Sequence, residues 1–207
     1  MNGFSNLISN DRLFLNSAGA RRGRLPQALV QSVRRHGIRP TRFILSVSIS
    51  SQSMCLFERR FSNSSAVLFP HYELRRRYSI STSAHGVGQV NGSNRTPLGL
   101  HRVAQKVGAG QPIGTIFRSR KAIGLTWQGG AEAFIVHRIL WLEGLEPGRN
   151  RGGEVDTYNR YIYIHGFGDE TTLGRPQSQG CIHVAARDLM PLFDCLPLGS
   201  LVWIAER

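Results

Sequence analysis

Short apolar stretches alternating with polar positions, broken by glycine, proline and asparagine, fill the chain from about Thr41 onward. In "RFILSVSIS", Ile44 or Leu45, then Val47 and Ile49, alternate with serines, the period of two that marks a half-buried strand. "MCLF" continues or partners that strand, and Cys55 within it reads as a small core residue. Further strands are expected at "RRYSIST", "LGLHRVAQ", "EAFIVHRILWL", "RYIYIHG" and "SLVWIAE". They are separated by turn signals such as "HGVGQVNGSNRTPLG", "GAGQPIG", "WQGG" and "EPGRNRGG". Many short strands joined by glycine-rich links predict a mainly β domain, a sandwich or a barrel-like sheet.

One segment carries helical spacing. In "ARDLMPLFDCL", Leu189, Leu192, Phe193 and Leu196 make a buried face, Asp188 is a cap candidate, and Pro191 is expected in the first turn. Cys195 falls inside that helix and needs no chemical role. No internal repeat is visible.

The first forty residues lack the alternation. They are rich in Ser, Asn and Arg and poor in acids, which suits a targeting segment, a flexible basic arm or a misassigned start. A secretory signal would need an apolar core, yet Asn6, Ser9, Asn10, Asp11 and Arg12 interrupt each candidate. The expected organisation is therefore a basic, flexible extension over residues 1–40 and one domain over residues 41–207.

Composition agrees: 207 residues with 41% apolar side chains suffice for one packed core. Cys55, Cys181 and Cys195 form neither an even framework nor a CxxC pair, so no disulfide scaffold or zinc ribbon is signalled. No apolar run has the length of a bilayer-spanning helix. The net charge of +13 lies mostly in residues 1–80, where thirteen arginines face Asp11, Glu58 and Glu73. Only Lys106 and Lys121 are lysines, and no aromatics interleave with the arginines on a recognisable module, which argues against a nucleic-acid surface.

Chemistry concentrates in "RPQSQGCIHVAARD". The strand "RYIYIHG" runs directly into His165, and a polar loop then leads to Cys181, so two adjacent strand ends can bring imidazole and thiol together. A thiol is mostly protonated at neutral pH; a nearby histidine either takes that proton or stabilises the thiolate as an ion pair. Gly180 lets the backbone approach a substrate and turn its N–H groups towards an oxyanion.

From about Phe43 to Ile204 the chain resembles the L,D-transpeptidase catalytic domain, also called the YkuD domain. That family's signature is a histidine after a strand, then a loop, then Ser/Thr-His-Gly-Cys followed closely by Arg or Asn. Here it stands as "IHGFGDETTLGRPQSQGCIH", supported by "YSISTSAHGVGQVNGSNRTPLGLHRV", "HRILWLEGLEPGRNRGG" and "LFDCLPLGSLVWI". The resemblance implies a β fold with a short helix after the catalytic loop, and a cysteine acyltransferase that needs no cofactor or metal. Its substrates would be peptidoglycan stem peptides. The cysteine attacks the carbonyl of the diacidic third residue of a tetrapeptide stem, expels the terminal D-alanine and leaves a thioester. An amine of a second stem, a wall-attached protein or water then accepts the acyl group. Work in the cell envelope, in the periplasm, is implied, although no convincing export signal is visible.

Carried over by position, the resemblance makes Cys181 the nucleophile, His165 the general base, and Gly180 with Cys181 the backbone donors to the oxyanion. Ser178 braces the loop. Two residues depart from the signature: Gln179 stands where the family has histidine, and His183 where arginine or asparagine is usual. Glutamine keeps an N–H donor but carries no proton charge. His183 is expected to hold a stem carboxylate, with Arg175 compensating for the lost guanidinium.

Two other functions compete. His165, Cys181 and His183 offer metal-ligand types, but no fourth ligand is evident. A catalytically impaired, wall-binding or interaction module would keep the cleft and lose turnover through Gln179. Of the other histidines, His85 and His101 read as surface or turn residues and His137 as a strand residue facing solvent. "GVGQVNGS" opens no helix and reads as a turn, not a phosphate loop.

Overall fold

The computed structural model describes residues 24–60, 69–129 and 135–207. The alternating stretch after Thr41 forms β1 (Phe43–Ser48), antiparallel to β2 (Ser53–Arg59), which pairs in turn with β3 (Tyr72–Ser81). The remaining strands are β4 (Gly99–Val107), β5 (Thr115–Arg118), β6 (Lys121–Leu125), β7 (Val136–Gly144), β8 (Tyr163–Gly166), β9 (Ile182–Val184) and β10 (Leu201–Ala205). Their order is β4-β10-β1-β2-β3-β9-β8-β7-β5-β6, and β4 also pairs with β7, which closes the sheet into a barrel. Among the strand pairs of the described residues, only β1–β10 and β8–β9 are parallel. The β5–β6 hairpin stays outside the ring, joined to it where Ile116 pairs with Val136.

The period of two then sorts side chains. Leu45, Val47, Met54, Leu56, Ile80, Leu140, Leu142, Ile164, Ile182, Val202 and Ile204 share the largest core cluster, completed by helix α2 (Ala186–Cys195) through Leu189, Leu192 and Phe193. Each such fully buried aliphatic side chain contributes about 1.5–3 kcal/mol relative to exposure. Alternate residues face outward and form two smaller clusters. One holds Ile44, Cys55, Phe57, Leu100 and Trp203; the other holds Phe117, Ile139, Trp141 and Tyr163, with Cys181 packed at its edge.

Five sequence expectations need correction. Residues 24–40 are not a free arm: helix α1 (Gln27–Arg35) buries Leu29 and Val33 in the first outer cluster, because an apolar face four residues apart has a sheet to cover. Ser32 Oγ also donates to the buried Glu146 carboxylate at 2.5 Å, pinning the helix. Residues 1–23 lie outside the described residues. In α2, Asp188 does not cap; it sits in the first turn and pairs with Arg76 at 2.5 Å, while Glu170 accepts the Ala186 N–H at 2.6 Å from another loop. Pro191 lies beyond the first turn and leaves the Arg187 carbonyl without a helical donor.

The last two concern histidines. His101 is fully buried: Nδ1–H donates to Gly99 O at 3.0 Å and Nε2 accepts from Thr157 Oγ1 at 3.2 Å. His137 is half-buried, with Nδ1 accepting the Gly114 N–H at 2.8 Å.

Candidate active site

β8 and β9 run parallel with Ile164 opposite Ile182 and His165 opposite His183. Ile164 and Ile182 point into the barrel, so Tyr163, His165, Cys181 and His183 share the outer face, with Cys181 diagonal to His165 across the strand pair. The loop from residue 167 to 180 makes this possible, because a parallel pair needs a crossover.

That loop is tied down at its far end. Gln52, buried in the β1–β2 turn, donates to Thr82 Oγ1 and accepts the Thr82 N–H, both at 2.8 Å. Thr82 O then receives the N–H groups of Gln177 and Ser178, at 2.8 and 2.9 Å. Ser178 Oγ donates to Cys181 O at 2.6 Å and accepts from Gly180 N at 3.2 Å. The Gly180 N–H, expected to face an oxyanion, is therefore already engaged by the serine that closes the turn. Gly180 has φ 115°, and a Cβ there would meet Arg95 O and the Ile162 side chain at 3.3 Å each. Thr96 Oγ1 donates to Gly180 O at 3.1 Å, completing the support.

Around the sulfur, Tyr163 N–H donates to Cys181 Sγ at 3.4 Å, and Sγ donates to Tyr161 O at 3.5 Å. Tyr161 has φ 56°, a conformation costly for a bulky residue and characteristic of functional sites. Burial pushes the thiol up to about 11, opposed by the Tyr163 amide and the Arg160 charge. Arg160 is held by Arg95 O at 2.7 Å, Gly88 O at 3.2 Å and Ser93 Oγ at 3.4 Å.

His165 is buried, and its Nδ1 lies 2.7 Å from Gly166 O. A carbonyl only accepts, so Nδ1 carries the proton and Nε2 keeps its lone pair. Burial lowers the imidazole to about 4, partly offset by that carbonyl. Both shifts, thiol up and imidazole down, favour neutral groups over a thiolate–imidazolium ion pair.

His183 lies with its ring centroid 4.8 Å from that of His165 and stacks on Phe167 at 4.4 Å. It is 6% exposed, its Nδ1 has no partner among the described residues, and burial together with His165 lowers it to about 3. Gln179 is exposed, two residues before Cys181. Arg175 is exposed further back in the loop, where it donates to Thr171 O at 3.2 Å. Among the described residues no three His, Cys, Asp or Glu side chains converge as metal ligands.

Sequence reasoning missed Arg160, Tyr161, Tyr163 and Arg120. Tyr163 was within reach, since two residues before His165 on a strand is the same face. Arg160 and Arg120 come from a turn and from the β5–β6 hairpin, whose relation to Cys181 exists only after folding.

No curated protein matches the chain. Among solved structures, one from Bdellovibrio bacteriovorus, Bd1075, is 14% identical with a TM-score of 0.51, covering 81% of this chain and 49% of that one. An L,D-transpeptidase from Mycobacterium smegmatis is 14% identical with a TM-score of 0.46, covering 79% of this chain and 58% of that one. The chain thus spans about half of the length of the first of them and under two thirds of the second. The first of these likenesses bears on the fold alone. A family model for the L,D-transpeptidase catalytic domain, YkuD, matches residues 46–204, the stretch from β1 to β10 that builds the barrel and carries both Cys181 and His165. The chain belongs to that family.

Proposed function

We propose that this domain is a cysteine acyltransferase acting on peptidoglycan stem peptides, with Cys181 as nucleophile and His165 as base. The reading rests on one observation: the parallel β8–β9 register sets a thiol and a neutral, carbonyl-oriented imidazole diagonally on one outer face. His165 Nε2 takes the thiol proton as Sγ bonds to the carbonyl carbon of the diacidic third residue. The Cys181 N–H, supplemented by the Gln179 amide, stabilises the oxyanion. Collapse breaks the bond to the terminal D-alanine, whose amine takes the proton from His165, leaving a thioester. The amine of a second stem then attacks that thioester, His165 takes a proton from it, and collapse returns the thiol. Such a substrate places the domain in the cell envelope; no helix among the described residues is long and apolar enough to cross a membrane.

The neutral resting pair supports general-base attack coupled to substrate binding over a preformed thiolate. Intact-mass measurement after incubation with a disaccharide tetrapeptide tests the reading. A thioester on Cys181 with release of D-alanine is expected. No adduct, with Cys181 reduced and the fold intact, favours instead an interaction module that has lost turnover at Gln179.

A further inference from the structure

We infer that Arg120 forms a carboxylate subsite about one residue away from the bond that Cys181 attacks; the inference rests on the acyltransfer reading and adds to it the feature that the donor must present. Arg120 sits at the tip of the β5–β6 hairpin, where Ser119 (φ 48°) and Arg120 (φ 66°) are both left-handed, the pattern of a tight two-residue turn that fixes the direction of its side chains. Neither residue is the glycine or asparagine that such turns favour, so the tip holds a long cation in a conformation with a backbone cost.

The guanidinium has a built seat. Its carbon lies 4.7 Å from the Trp141 ring centre and 5.2 Å from that of Tyr161, and Nη1 donates to Tyr163 Oη at 3.3 Å. Tyr158 stacks on Trp141 at 4.1 Å with an interplanar angle of 1°, so one face of the indole is taken and the other is left to Arg120. A cation held on aromatic faces keeps its planar fork presented edge-on, which suits bidentate capture of a carboxylate. Of five N–H donors one is used, and among the described residues no carboxylate pairs with it.

Tyr163 sets the distance to the chemistry: its phenol oxygen meets Arg120 while its backbone N–H meets Cys181 Sγ. Cys181 and Arg120 are thus bridged by one tyrosine with a hydrogen bond at each end, a span compatible with a scissile carbonyl at the sulfur and a carboxylate on the same or the next residue at the guanidinium. The other cations are less suited. Arg160 is spent on Gly88 O, Ser93 Oγ and Arg95 O, Arg175 is exposed further back in the loop against Thr171 O, and His183 is buried with its imidazole lowered chiefly by that burial. Two carboxylates of a stem tetrapeptide share this chemistry: the terminal carboxylate of the leaving residue and the side-chain carboxylate of the diacidic residue.

Calorimetric binding to the full-length Cys181→Ala protein, which cannot turn over, tests the subsite. Three tetrapeptides serve as probes: unmodified, amidated at the C-terminus, and amidated at the side chain of the third residue. The unmodified peptide should bind about 10- to 100-fold more weakly when Arg120→Gln is added, with Arg120→Lys in between. One amidation should cost the same factor with Arg120 present and nothing further with Arg120→Gln; that arm names the carboxylate. Equal binding with and without Arg120→Gln, an amidation cost that persists in Arg120→Gln, or no binding of the unmodified peptide overturns the subsite. The acyltransfer reading is judged separately, by the adduct on the unsubstituted protein. Arg120 is half-buried, and a Cys181→Ala/Arg120→Gln protein that still melts cooperatively close to Cys181→Ala shows that the subsite, not the fold, is being read.

Discussion

The backbone N–H of Tyr163 points at the Sγ of Cys181 from 3.4 Å, so the strand that carries the proposed base also grips the proposed nucleophile. The turn that leads into that strand supplies Tyr161 O, which accepts the S–H from a left-handed residue. β8 and the turn before it thereby hold the sulfur in place, and the upward shift of the thiol favours its protonated form, so in the proposed reaction the proton would pass to His165 once substrate is bound.

The three cysteines should separate cleanly. Cys181→Ala abolishes the adduct with tetrapeptide and leaves thermal melting nearly unchanged, since Cys181 sits at the edge of a cluster and not in the barrel core. Cys55→Ala and Cys195→Ala keep the adduct and each lowers stability by about 1 kcal/mol, the first through a cavity among Ile44, Phe57 and Trp203, the second at the edge of the main core cluster. Intact mass and melting on all three variants check this; an adduct persisting in Cys181→Ala removes it as nucleophile.

The pH dependence of the reaction follows from the resting pair. Because His165 is held near 4, acyl transfer should stay active on the acid side down to about pH 4–5, lower than an ordinary histidine base allows. Alkylation of Cys181 by iodoacetamide, which needs only the thiolate, should climb towards about pH 11. His165→Ala should slow acyl transfer and erase the acid limb while leaving the alkylation profile in place. An acid limb unchanged in His165→Ala would point to a different base.

Stability should also fall in mild acid. His101 and His183 are lowered to about 3 and His165 to about 4, all chiefly by burial. The unfolded chain takes up these protons from about pH 6.5 downward, whereas the folded protein does not until far lower, so the unfolded state binds more protons across that window. The stabilisation is complete above about pH 6.5 and is lost as pH falls towards 4 and then 3. Urea midpoints at pH 7, 6 and 5 isolate the histidines, because carboxylates titrate mostly below that range; a midpoint flat from pH 7 to 5 would contradict the burial of neutral imidazoles.

Much of this architecture is readable along the chain, and the exceptions share a cause. β1 stands out through its two-fold alternation, and β10 and the motif strand β8, buried on both faces, stand out as short apolar runs bounded by turn signals. The β9 strand does not, since it has only Ile182 to Val184 and gains its identity from its neighbours β3 and β8. The β5–β6 hairpin is hidden for a different reason: its turn residues, Ser119 and Arg120, carry no turn signal. At the site, Cys181 and His165 are legible through their motif, but the engagement of the Gly180 N–H by Ser178 and the burial of His183 depend on packing that no local pattern encodes.

Replacing the departing residue in the catalytic loop gives the most direct test of whether the site is competent. Gln179 is exposed between Ser178, which locks the turn, and Gly180, whose φ of 115° the turn requires. Gln179→His therefore changes neither of the groups that shape the loop, and melting should shift by no more than about 0.5 kcal/mol equivalent, as for other exposed positions. With Gly180 N–H spent on Ser178 Oγ, the oxyanion depends on the Cys181 N–H and on whatever residue 179 supplies. An imidazole there can carry a proton charge towards the oxyanion where the amide offers only a neutral donor, so acylation should rise by about 10- to 100-fold, each tenfold corresponding to roughly 1.4 kcal/mol at the transition state. Single-turnover acylation measured by mass on both proteins checks this. No change from an active parent means that the glutamine amide already serves; a parent and a Gln179→His variant that are both inactive, folded and reduced would move the balance to an interaction module.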